Sequence, residues 1–325
     1  MGGEAPGAQR REEGGGQVAP DGQAPHAREG GRRPLTGDTA RVPEPQPAHA
    51  GFHWRIWGAE AAGTALLVLG ALSAVALVLG DGSPVRKAVS SESVRLLLTG
   101  LLVGGCVSLI VISPLGRLSG AHINPAVTLA FRIVGRVSGH DVAGYLLAQL
   151  LGALAGAFVF RLLWGSVALS VEGGVTHPAV PALGAIAIEA GMTALIVASI
   201  FVFVSRERLA RWTPLMLWPL IGALVWTGSE YTGASLNPAR SAGPALAFSD
   251  FADLWLYLLA PPLGALAVAA LWRRRHPRAW PMTAKLFHDP CYPCSLGSSL
   301  PALPPNSLDA DAAPVTRPAG TRLER

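Results

Sequence analysis

The sequence of 325 residues has few charged side chains, and those it has are unevenly placed. Charged residues make up 14% of the chain, whereas hydrophobic residues make up 50% and the mean hydropathy is +0.38. Ordinary soluble domains contain about a quarter charged residues and spread them over the whole surface. Here the charges crowd into both tails and leave long apolar runs between them. The composition therefore excludes an ordinary soluble enzyme and predicts a membrane protein with hydrophilic tails.

Lysine is nearly absent, since the sequence contains only Lys87 and Lys285, and arginine supplies the other positive charges. The sequence pI of about 9.6 reflects arginines in the tails and in short loops beside apolar segments. This placement is typical of a membrane orientation signal, so we expect the lipid bilayer and no nucleic acid as a partner. The arginine bias, together with abundant alanine, glycine and proline, indicates a GC-rich bacterial source.

Cysteine is also scarce, and three residues exclude a disulfide framework. Cys106 lies in an apolar run, where we expect a small buried hydrophobic side chain. Cys291 and Cys294 form a single CxxC pair near His288, which is half of a zinc site. An unstructured tail is the preferred interpretation and metal or redox use is the alternative, so we expect no metal and no cofactor.

The two tails predict the domain organisation. Residues 1–50 are rich in glycine, proline, alanine and charge with almost no aromatic side chains, and from 276 the chain is again rich in proline and serine. Such segments cannot bury a core. No apolar stretch follows the first charges, so we expect no signal peptide. We predict disordered cytoplasmic tails over 1–50 and 276–325 and a membrane domain over 51–275.

Six apolar segments of the membrane domain are long enough to span about 30 Å of hydrocarbon at about 1.5 Å per residue. They cover approximately residues 56–80, 93–115, 141–165, 181–204, 214–232 and 253–272. Two shorter apolar stretches, about 124–135 and 237–247, follow the second and fifth segments. Each is too short to cross, so we predict an all-α membrane protein with six transmembrane helices and two re-entrant half-helices.

Arginine placement predicts the orientation. The connections after the second and fourth spans and the two ends of the membrane domain carry Arg55, Arg117, Arg132, Arg136, Arg206, Arg208, Arg211, Arg273, Arg274 and Arg275. The loops after the first and third spans are nearly balanced or acidic. The positive-inside rule therefore places both termini in the cytoplasm, and we expect a multi-pass protein of the plasma membrane.

Three blocks of sequence recur in the same order in the two halves. Residues 60–68 match 189–197, residues 145–155 match 257–267, and Gly-Ala-His-Ile-Asn-Pro-Ala at 120–126 matches Gly-Ala-Ser-Leu-Asn-Pro-Ala at 233–239. The repeated units cover about 54–165 and 181–273. Each contains three spans, an odd number, so the second copy crosses the membrane upside down. An inverted repeat predicts a site at the midplane where the copies meet.

The duplicated Asn-Pro-Ala has a physical role at that midplane. Asparagine is a good N-cap and proline fits the first helical turn, so Asn124-Pro125-Ala126 and Asn237-Pro238-Ala239 each begin a half-helix. The two positive helix ends then face each other and repel cations. Both asparagine amides remain as donors to a passing oxygen. One such motif alone would usually be a helix cap, but two in inverted halves indicate a pore.

Residues 120–127 and 233–241 resemble the two signature loops of the major intrinsic protein family, the aquaporins and glycerol facilitators. The resemblance covers about 54–273. It implies a homotetramer in which each subunit carries its own pore for small neutral solutes, and no enzymatic activity. It also implies that Glu60 and Glu189 accept hydrogen bonds from loop backbone N–H groups, with His122 and Gln149 as buried polar supports. Proton relay by the two glutamates is the alternative.

The family's narrowest point is built from four positions, which we transfer by spacing from the two asparagines. Arg240 resembles the filter arginine, a fixed charge that repels cations and donates to solute oxygens. The other positions are Ala234, Val225 and, if the second span has no gap, Gly104. This set predicts a wide, half-apolar constriction. Water-selective members place an aromatic residue and a histidine at the positions of Gly104 and Val225, and this chain has neither.

The solute follows less directly from the sequence. Val225 and Ala234 match the nodulin-26-like branch, but a tryptophan usually accompanies them where this chain has Gly104. Ser241 replaces the aspartate that usually follows the arginine in bacterial glycerol facilitators. We expect a passive channel for water and glycerol, with urea and metalloid hydroxides as further candidates. The alternatives are a water-selective aquaporin, an ion-coupled secondary transporter and an intramembrane enzyme; the last two lack suitable residues in the spans.

Overall fold

The computed structural model describes residues 52–276 and 281–287, and all the regular elements in these residues are helical. A 3-10 turn covers Glu172–Gly174. The α-helices, in chain order, are α1 (Trp54–Leu79), α2 (Pro84–Ala88), α3 (Glu92–Ile112), α4 (Pro114–Ser119), α5 (Pro125–Ile133), α6 (Gly139–Trp164), α7 (Ser166–Ser170), α8 (Ala182–Val204), α9 (Glu207–Ala210), α10 (Thr213–Thr232), α11 (Pro238–Phe248) and α12 (Leu254–Arg275).

Within the described residues, five helices are long and apolar enough to cross a membrane, judged by length and composition: α1, α3, α6, α8 and α12. The fifth predicted span, α10, is not among them. Its 20 residues include Trp218, Pro219 and Glu230, which lower its hydropathy. At about 1.5 Å per residue, α10 is nevertheless long enough for the hydrocarbon layer, and it packs along α3 as the sixth long helix of the fold.

The long helices α3 and α10 run antiparallel, whereas α1 and α6 run parallel, since Gly152 and Gly156 of α6 pack on Ala61 and Ala65 of α1 in the same order. Trp226 near the end of α10 donates to Ser93 at the start of α3 (2.8 Å), and Ser108 near the end of α3 donates to the carbonyl of Pro214 at the start of α10 (2.7 Å). Six alternating crossings place the first residue of α1 and the last residue of α12 on one face. We call this the terminal face, and the opposite face, with Leu79 and Leu254, the distal face.

Small residues allow the closest helix crossings, and the crossings repeat in both halves. A Cβ atom on Gly152 of α6 would lie 2.1 Å from the carbonyl oxygen of Ala61 in α1. At the equivalent place, a Cβ atom on Gly264 of α12 would lie 1.9 Å from the carbonyl oxygen of Ala190 in α8. Only glycine permits such backbone contact between packed helices. The α1–α6 pair and the α8–α12 pair are therefore the same unit used twice.

The two short apolar stretches form the predicted half-helices. Both α5 (9 residues) and α11 (11 residues) begin with proline after an asparagine in extended conformation, Asn124 and Asn237. Proline costs nothing in the first turn because the N–H it lacks has no partner inside a helix. The sequence therefore determines where each half-helix begins.

The prediction for the tail after α12 is partly wrong. The disorder predicted over 276–325 does not hold for residues 281–287, where Thr283 and Ala284 are fully buried and Leu286 is 2% exposed. The reason is that this segment finds backbone partners and an apolar contact on the terminal face. The tail predicted over 1–50 and the Cys291–Cys294 pair with His288 lie outside the described residues.

Candidate functional site

Both asparagine side chains cap their own half-helix. Asn124 Oδ1 accepts from the backbone N–H of Ala126 (2.9 Å), and Asn237 Oδ1 accepts from that of Ala239 (3.0 Å). These caps satisfy N–H groups that a helix start leaves without a partner, and Asn237 Oδ1 also accepts from the N–H of Arg240 (3.4 Å). The caps also fix the orientation of the two amide groups.

The same two amides tie the halves of the chain together. Asn124 Nδ2 donates to the carbonyl of Leu236 in the second loop (2.9 Å), and Asn237 Nδ2 donates to the carbonyl of Ile123 in the first (2.8 Å). An amide nitrogen carries two hydrogens, so each asparagine keeps a second one for another acceptor. The positive N-terminal ends of α5 and α11 therefore meet at a point where each loop is hydrogen-bonded to the other.

A buried glutamate holds the first loop. Glu60 is fully buried, and its carboxylate accepts from the backbone N–H groups of His122 (3.0 Å) and Ile123 (2.7 Å). Gln149 donates to the same carboxylate (2.9 Å). Ala121 and Ile123 have φ angles of 53° and 41°, which non-glycine residues rarely adopt. The carboxylate stabilises this strained backbone by satisfying its N–H groups.

The second loop repeats the arrangement. Glu189, also fully buried, accepts from the backbone N–H groups of Ser235 and Leu236, each at 2.8 Å, and from the hydroxyl of Thr232 at 2.7 Å. Ala234 and Leu236 again have positive φ angles, 44° and 60°. All the contacts of Glu60 and Glu189 are of the loop-supporting kind that the sequence predicted, and neither side chain lines the cavity between the halves.

His122 lies beneath the first loop. Its Nδ1 lies 3.2 Å from the hydroxyl of Thr128, and its Nε2 lies 2.8 Å from the carbonyl oxygen of Ala284 in the 281–287 segment. The ring is 1% exposed and stacks on Phe131. The side chain therefore connects the re-entrant loop to the segment after α12, a contact that sequence reasoning missed.

A cavity of about 280 Å³ is lined by residues of both loops. Its wall is mainly aliphatic, and both halves of the chain contribute to it. The polar residues in the wall are Thr99, His122, Asn124, Thr176, Ser229, Ser235, Asn237 and Arg240. Among the described residues of this wall, Arg240 alone carries a permanent charge. Such a wall offers hydrogen bonds at a few points and apolar surface elsewhere.

Three of the four predicted filter residues lie in this wall. Val225 is 7% exposed, Ala234 is 5% exposed, and the Arg240 guanidinium donates to the carbonyl of Gly174 (2.9 Å). That carbonyl belongs to the segment after α7, which sequence reasoning did not assign. The hydrogen bond fixes the guanidinium at the wall and leaves its other donors for a solute.

The prediction for Gly104 is wrong. A Cβ atom on Gly104 would lie 2.3 Å from the carbonyl oxygen of Trp218, so this residue faces α10 and not the cavity. Val103, one residue earlier, lines the cavity instead. The transfer by spacing from Asn124 assumed that the second span has no gap. The residue that reaches the cavity lies one position earlier on α3, because Gly104 packs on the backbone of α10.

An ionic cluster lies beside the cavity on the distal face. His177 Nδ1 lies 2.9 Å from a carboxylate oxygen of Asp253, and its Nε2 lies 3.3 Å from one of Asp250. The hydrogen bond to Asp253 raises the pKa of His177, with further help from the charges of Asp250, Asp253 and Glu172 and against a smaller effect of burial. The cluster holds the segment that carries Gly174 against the start of α12.

Comparison with known proteins identifies the architecture. Residues 48–272 match the family model described as "Major intrinsic protein". The chain belongs to the major intrinsic protein family. It is 35% identical to the lens fiber major intrinsic protein of Gallus gallus over 243 residues, 72% of this chain and 86% of that protein. It is also 35% identical to nodulin-26 of Glycine max over 169 residues, 52% of this chain and 62% of that protein.

A solved structure agrees on the fold. The aquaglyceroporin from Plasmodium falciparum superposes with a TM-score of 0.55 at 22% identity, covering 68% of this chain and 96% of that one. Members of the major intrinsic protein family are channels for small solutes rather than enzymes, so this chain is a multi-pass membrane channel. Among residues 52–276 and 281–287, no group of three or more His, Cys, Asp or Glu side chains could hold a metal ion.

Proposed function

We propose that the chain is a passive channel for small uncharged solutes, with glycerol and water as its main permeants and urea and metalloid hydroxides as further candidates. The observation that carries the proposal is the cavity in which both Asn-Pro-Ala loops and Arg240 meet. Its hydrogen-bond donors lie at a few points on an aliphatic wall. A polyol fits such a wall because its CH groups contact the aliphatic side while its hydroxyls meet the donors.

The filter in this proposal consists of Val103, Val225, Ala234 and Arg240. Three of these side chains are small and apolar, so the opening is wider than one closed by an aromatic ring and a histidine. This width favours glycerol over strict water selectivity. Exclusion of glycerol by the wild type would favour the runner-up, a water-selective aquaporin.

Two features of the pore argue against the passage of ions and against ion-coupled transport. The fixed charge of Arg240 and the positive N-terminal ends of α5 and α11 repel cations inside a narrow cavity. Ion coupling would need a carboxylate on the path, whereas Glu60 and Glu189 are occupied by the loop backbones. We therefore propose passive flux that does not depend on an ion gradient.

The arginines support an orientation with the terminal face in the cytoplasm. That face carries the stretches between α3 and α6 and between α8 and α10, with Arg117, Arg132, Arg136, Arg206 and Arg208. In the distal loops, Asp81 is offset by Arg86 and Lys87, whereas the later loops carry Glu172, Asp250 and Asp253. We further propose a homotetramer in the plasma membrane, on the strength of the family resemblance. Protease protection of terminal tags in right-side-out vesicles tests the orientation, and cleavage of a tag from outside would refute it.

Stopped-flow swelling of proteoliposomes tests the function. Glycerol and urea should permeate faster than in empty liposomes, sucrose should not, and imposed sodium or proton gradients should change neither rate. Asn237→Asp is the matched loss variant, because it removes the amide donor to Ile123 while keeping the side-chain shape. Flux that requires an ion gradient, or that Asn237→Asp leaves untouched, would contradict the proposal.

A further inference from the structure

The segment after α12 is built into the terminal face. Of its residues, Thr283 and Ala284 are 0% exposed, Leu286 is 2% exposed and Lys285 is 3% exposed. Burial of four consecutive residues is unusual for a segment outside the regular elements, since such segments normally lie at the surface. The segment is therefore a structural part of the membrane domain.

Backbone hydrogen bonds fix the segment between α8 and the first re-entrant loop. The N–H of Met282 donates to the carbonyl of Val204 (2.9 Å), and the N–H of Leu286 donates to the carbonyl of Gly120 (3.0 Å). His122 meets the carbonyl of Ala284 (2.8 Å). Two of these three contacts are with the loop that carries Asn124, so the segment is attached to the pore itself.

The Lys285 side chain adds a further anchor. Its ammonium donates to the carbonyl of Arg117 at the end of α4. The Arg117 guanidinium lies 5.7 Å from the centre of the Phe287 ring, within cation–π range. The segment thus contacts the connection between α3 and the first loop as well as the loop itself.

Leu286 reaches the cavity. Its side chain is part of the same cavity wall that includes Val103, Asn124 and Arg240. It is also part of the apolar core that contains Val107, Ile110 and Ile200. Because the N–H of Leu286 is hydrogen-bonded to the carbonyl of Gly120 on the terminal face, Leu286 lies at the terminal end of the cavity.

The inverted repeat explains why a segment lies here. Residues 171–176, after α6, cover the second loop on the distal face: a Cβ atom on Gly233 would lie 3.2 Å from Thr176, and the Gly174 carbonyl accepts from Arg240. At the equivalent Gly120, a Cβ atom would lie 3.0 Å from the carbonyl oxygen of Ala284. Each half therefore ends in a segment that returns over a re-entrant loop, and the two segments cover opposite ends of one cavity.

We propose that residues 281–287 form a second constriction of the pore, on the terminal face, in which the Leu286 side chain limits the size of the solute that passes. The inference rests on the proposed function, since it concerns the same pore. It assigns size selection to two places: the filter around Arg240 on the distal side, and an apolar constriction supplied by the segment after the last helix. Hydrophobic constrictions restrict flux through both their width and their poor hydration.

Opposite substitutions at one position test this proposal in the full-length chain. Leu286→Ala should raise glycerol permeability severalfold and water permeability less, because it widens the constriction and keeps every backbone hydrogen bond. Leu286→Trp should lower glycerol permeability severalfold because it fills the constriction. Leu271→Ala and Leu271→Trp are the matched controls, since Leu271 lies on α12 with its side chain outward (54% exposed), and both should match the wild type. Reconstituted protein is quantified and checked for monodispersity before stopped-flow swelling.

The direction of the two changes decides the outcome. A purely structural role for Leu286 predicts that both substitutions lower the flux or leave it unchanged, and either result would overturn the second constriction. If the wild type conducts glycerol but the two variants do not change this flux in opposite directions, this inference alone is refuted. The absence of glycerol and water flux in the wild type and every variant would refute the proposed channel as well.

Discussion

Each half of the chain supports its re-entrant loop with a buried glutamate and a buried tyrosine. In the first half, the hydroxyl of Tyr145 donates to the carbonyl of Ser119 (2.5 Å), and in the second the hydroxyl of Tyr257 donates to that of Thr232 (2.7 Å). The supports are equivalent because the same strained loop has to be held twice. Duplication therefore preserves the residues that determine backbone geometry.

The cavity wall is duplicated only in part: Asn124 and Asn237 recur, but other lining residues differ between the halves. Three positions after the asparagine, the second half has Arg240 and the first half has Val127. His122 in the first loop corresponds to Ser235 in the second. The two halves thus share the residues that hold the loops but differ in the side chains at these positions. As a result, the fixed charge lies on only one side of the two asparagines. The comparison separates residues needed for folding from those needed for selectivity.

The largest effect should come from removing a loop-supporting carboxylate. Glu189→Ala leaves two buried backbone N–H groups without acceptors, at about 1–3 kcal/mol each, so we expect a loss of about 2–6 kcal/mol in the free energy of unfolding. Glu60→Ala should cost less, because Gln149 Oε1 has no hydrogen-bond partner among the described residues and can turn to accept. Pro261, at the equivalent position of the second half, has no side-chain oxygen and cannot accept these hydrogen bonds when Glu189 is removed.

Thermal unfolding in detergent measures the difference between the two variants, with Glu60→Gln and Glu189→Gln as controls that keep one acceptor oxygen. Equal losses for Glu60→Ala and Glu189→Ala would show that Gln149 gives no compensation.

A smaller effect on stability, but a large one on selectivity, should follow from Arg240→Val, which gives the second half the side chain of Val127. Repulsion between two unit charges about 4 Å apart is worth about 4 kcal/mol at an effective dielectric constant of about 20. Losing only about 1.4 kcal/mol of this barrier raises cation leak tenfold, so we expect at least that increase. Sodium and proton leak in proteoliposomes are measured beside glycerol flux. Arg240→Lys keeps the charge and should still exclude cations. Equal cation leak in Arg240→Val and Arg240→Lys would show that the charge at this position does not exclude cations.

The smallest effect should come from the distal His177 cluster. Its counterpart in the first half is the pair of His53 and Asp141 on the terminal face, whose side-chain atoms lie 2.7 Å apart. Because Asp253 raises the pKa of His177 in the folded chain, the cluster stabilises fully below the ordinary histidine pKa of about 6.5 and is lost as pH rises through the raised value. The contribution is below about 1 kcal/mol, as for exposed ion pairs. His177→Gln should therefore flatten the pH dependence of the melting temperature in this range. A wild-type slope that the variant retains would contradict this assignment.

The half-helices and the loop supports could be predicted because short motifs determine them. Asn-Pro begins a helix wherever it occurs in such a setting, and the recurrence of Glu60 as Glu189 marks equivalent places in both copies. The positions of Val225, Ala234 and Arg240 followed from their spacing to Asn237, although α10 ends at Thr232 within this stretch. These parts depend on local sequence, which a single chain displays completely.

The Gly104 error shows what spacing alone misses. On α3, Gly100, Gly104 and Ser108 recur every fourth residue and form the small-residue stripe that packs on α10, whereas Thr99, Val103 and Val107 line the cavity. The stripe itself was a usable signal, because small residues at this period mark close helix contacts. Nothing in the local sequence of 281–287 marks its burial, since its partners lie on Gly120 and Val204, far away along the chain.

The most direct test of the account is the glycerol-to-water permeability ratio of Val103→Trp. The ring should enter the cavity beside Arg240 and narrow it without removing the arginine's donors. Leu102→Trp is the matched control, because the neighbouring side chain is 46% exposed on the outer surface of α3. We predict a severalfold fall in the ratio for Val103→Trp, with water flux largely retained, and a wild-type ratio for Leu102→Trp. An unchanged ratio in correctly folded Val103→Trp would mean that solutes do not cross through the cavity where the two halves meet.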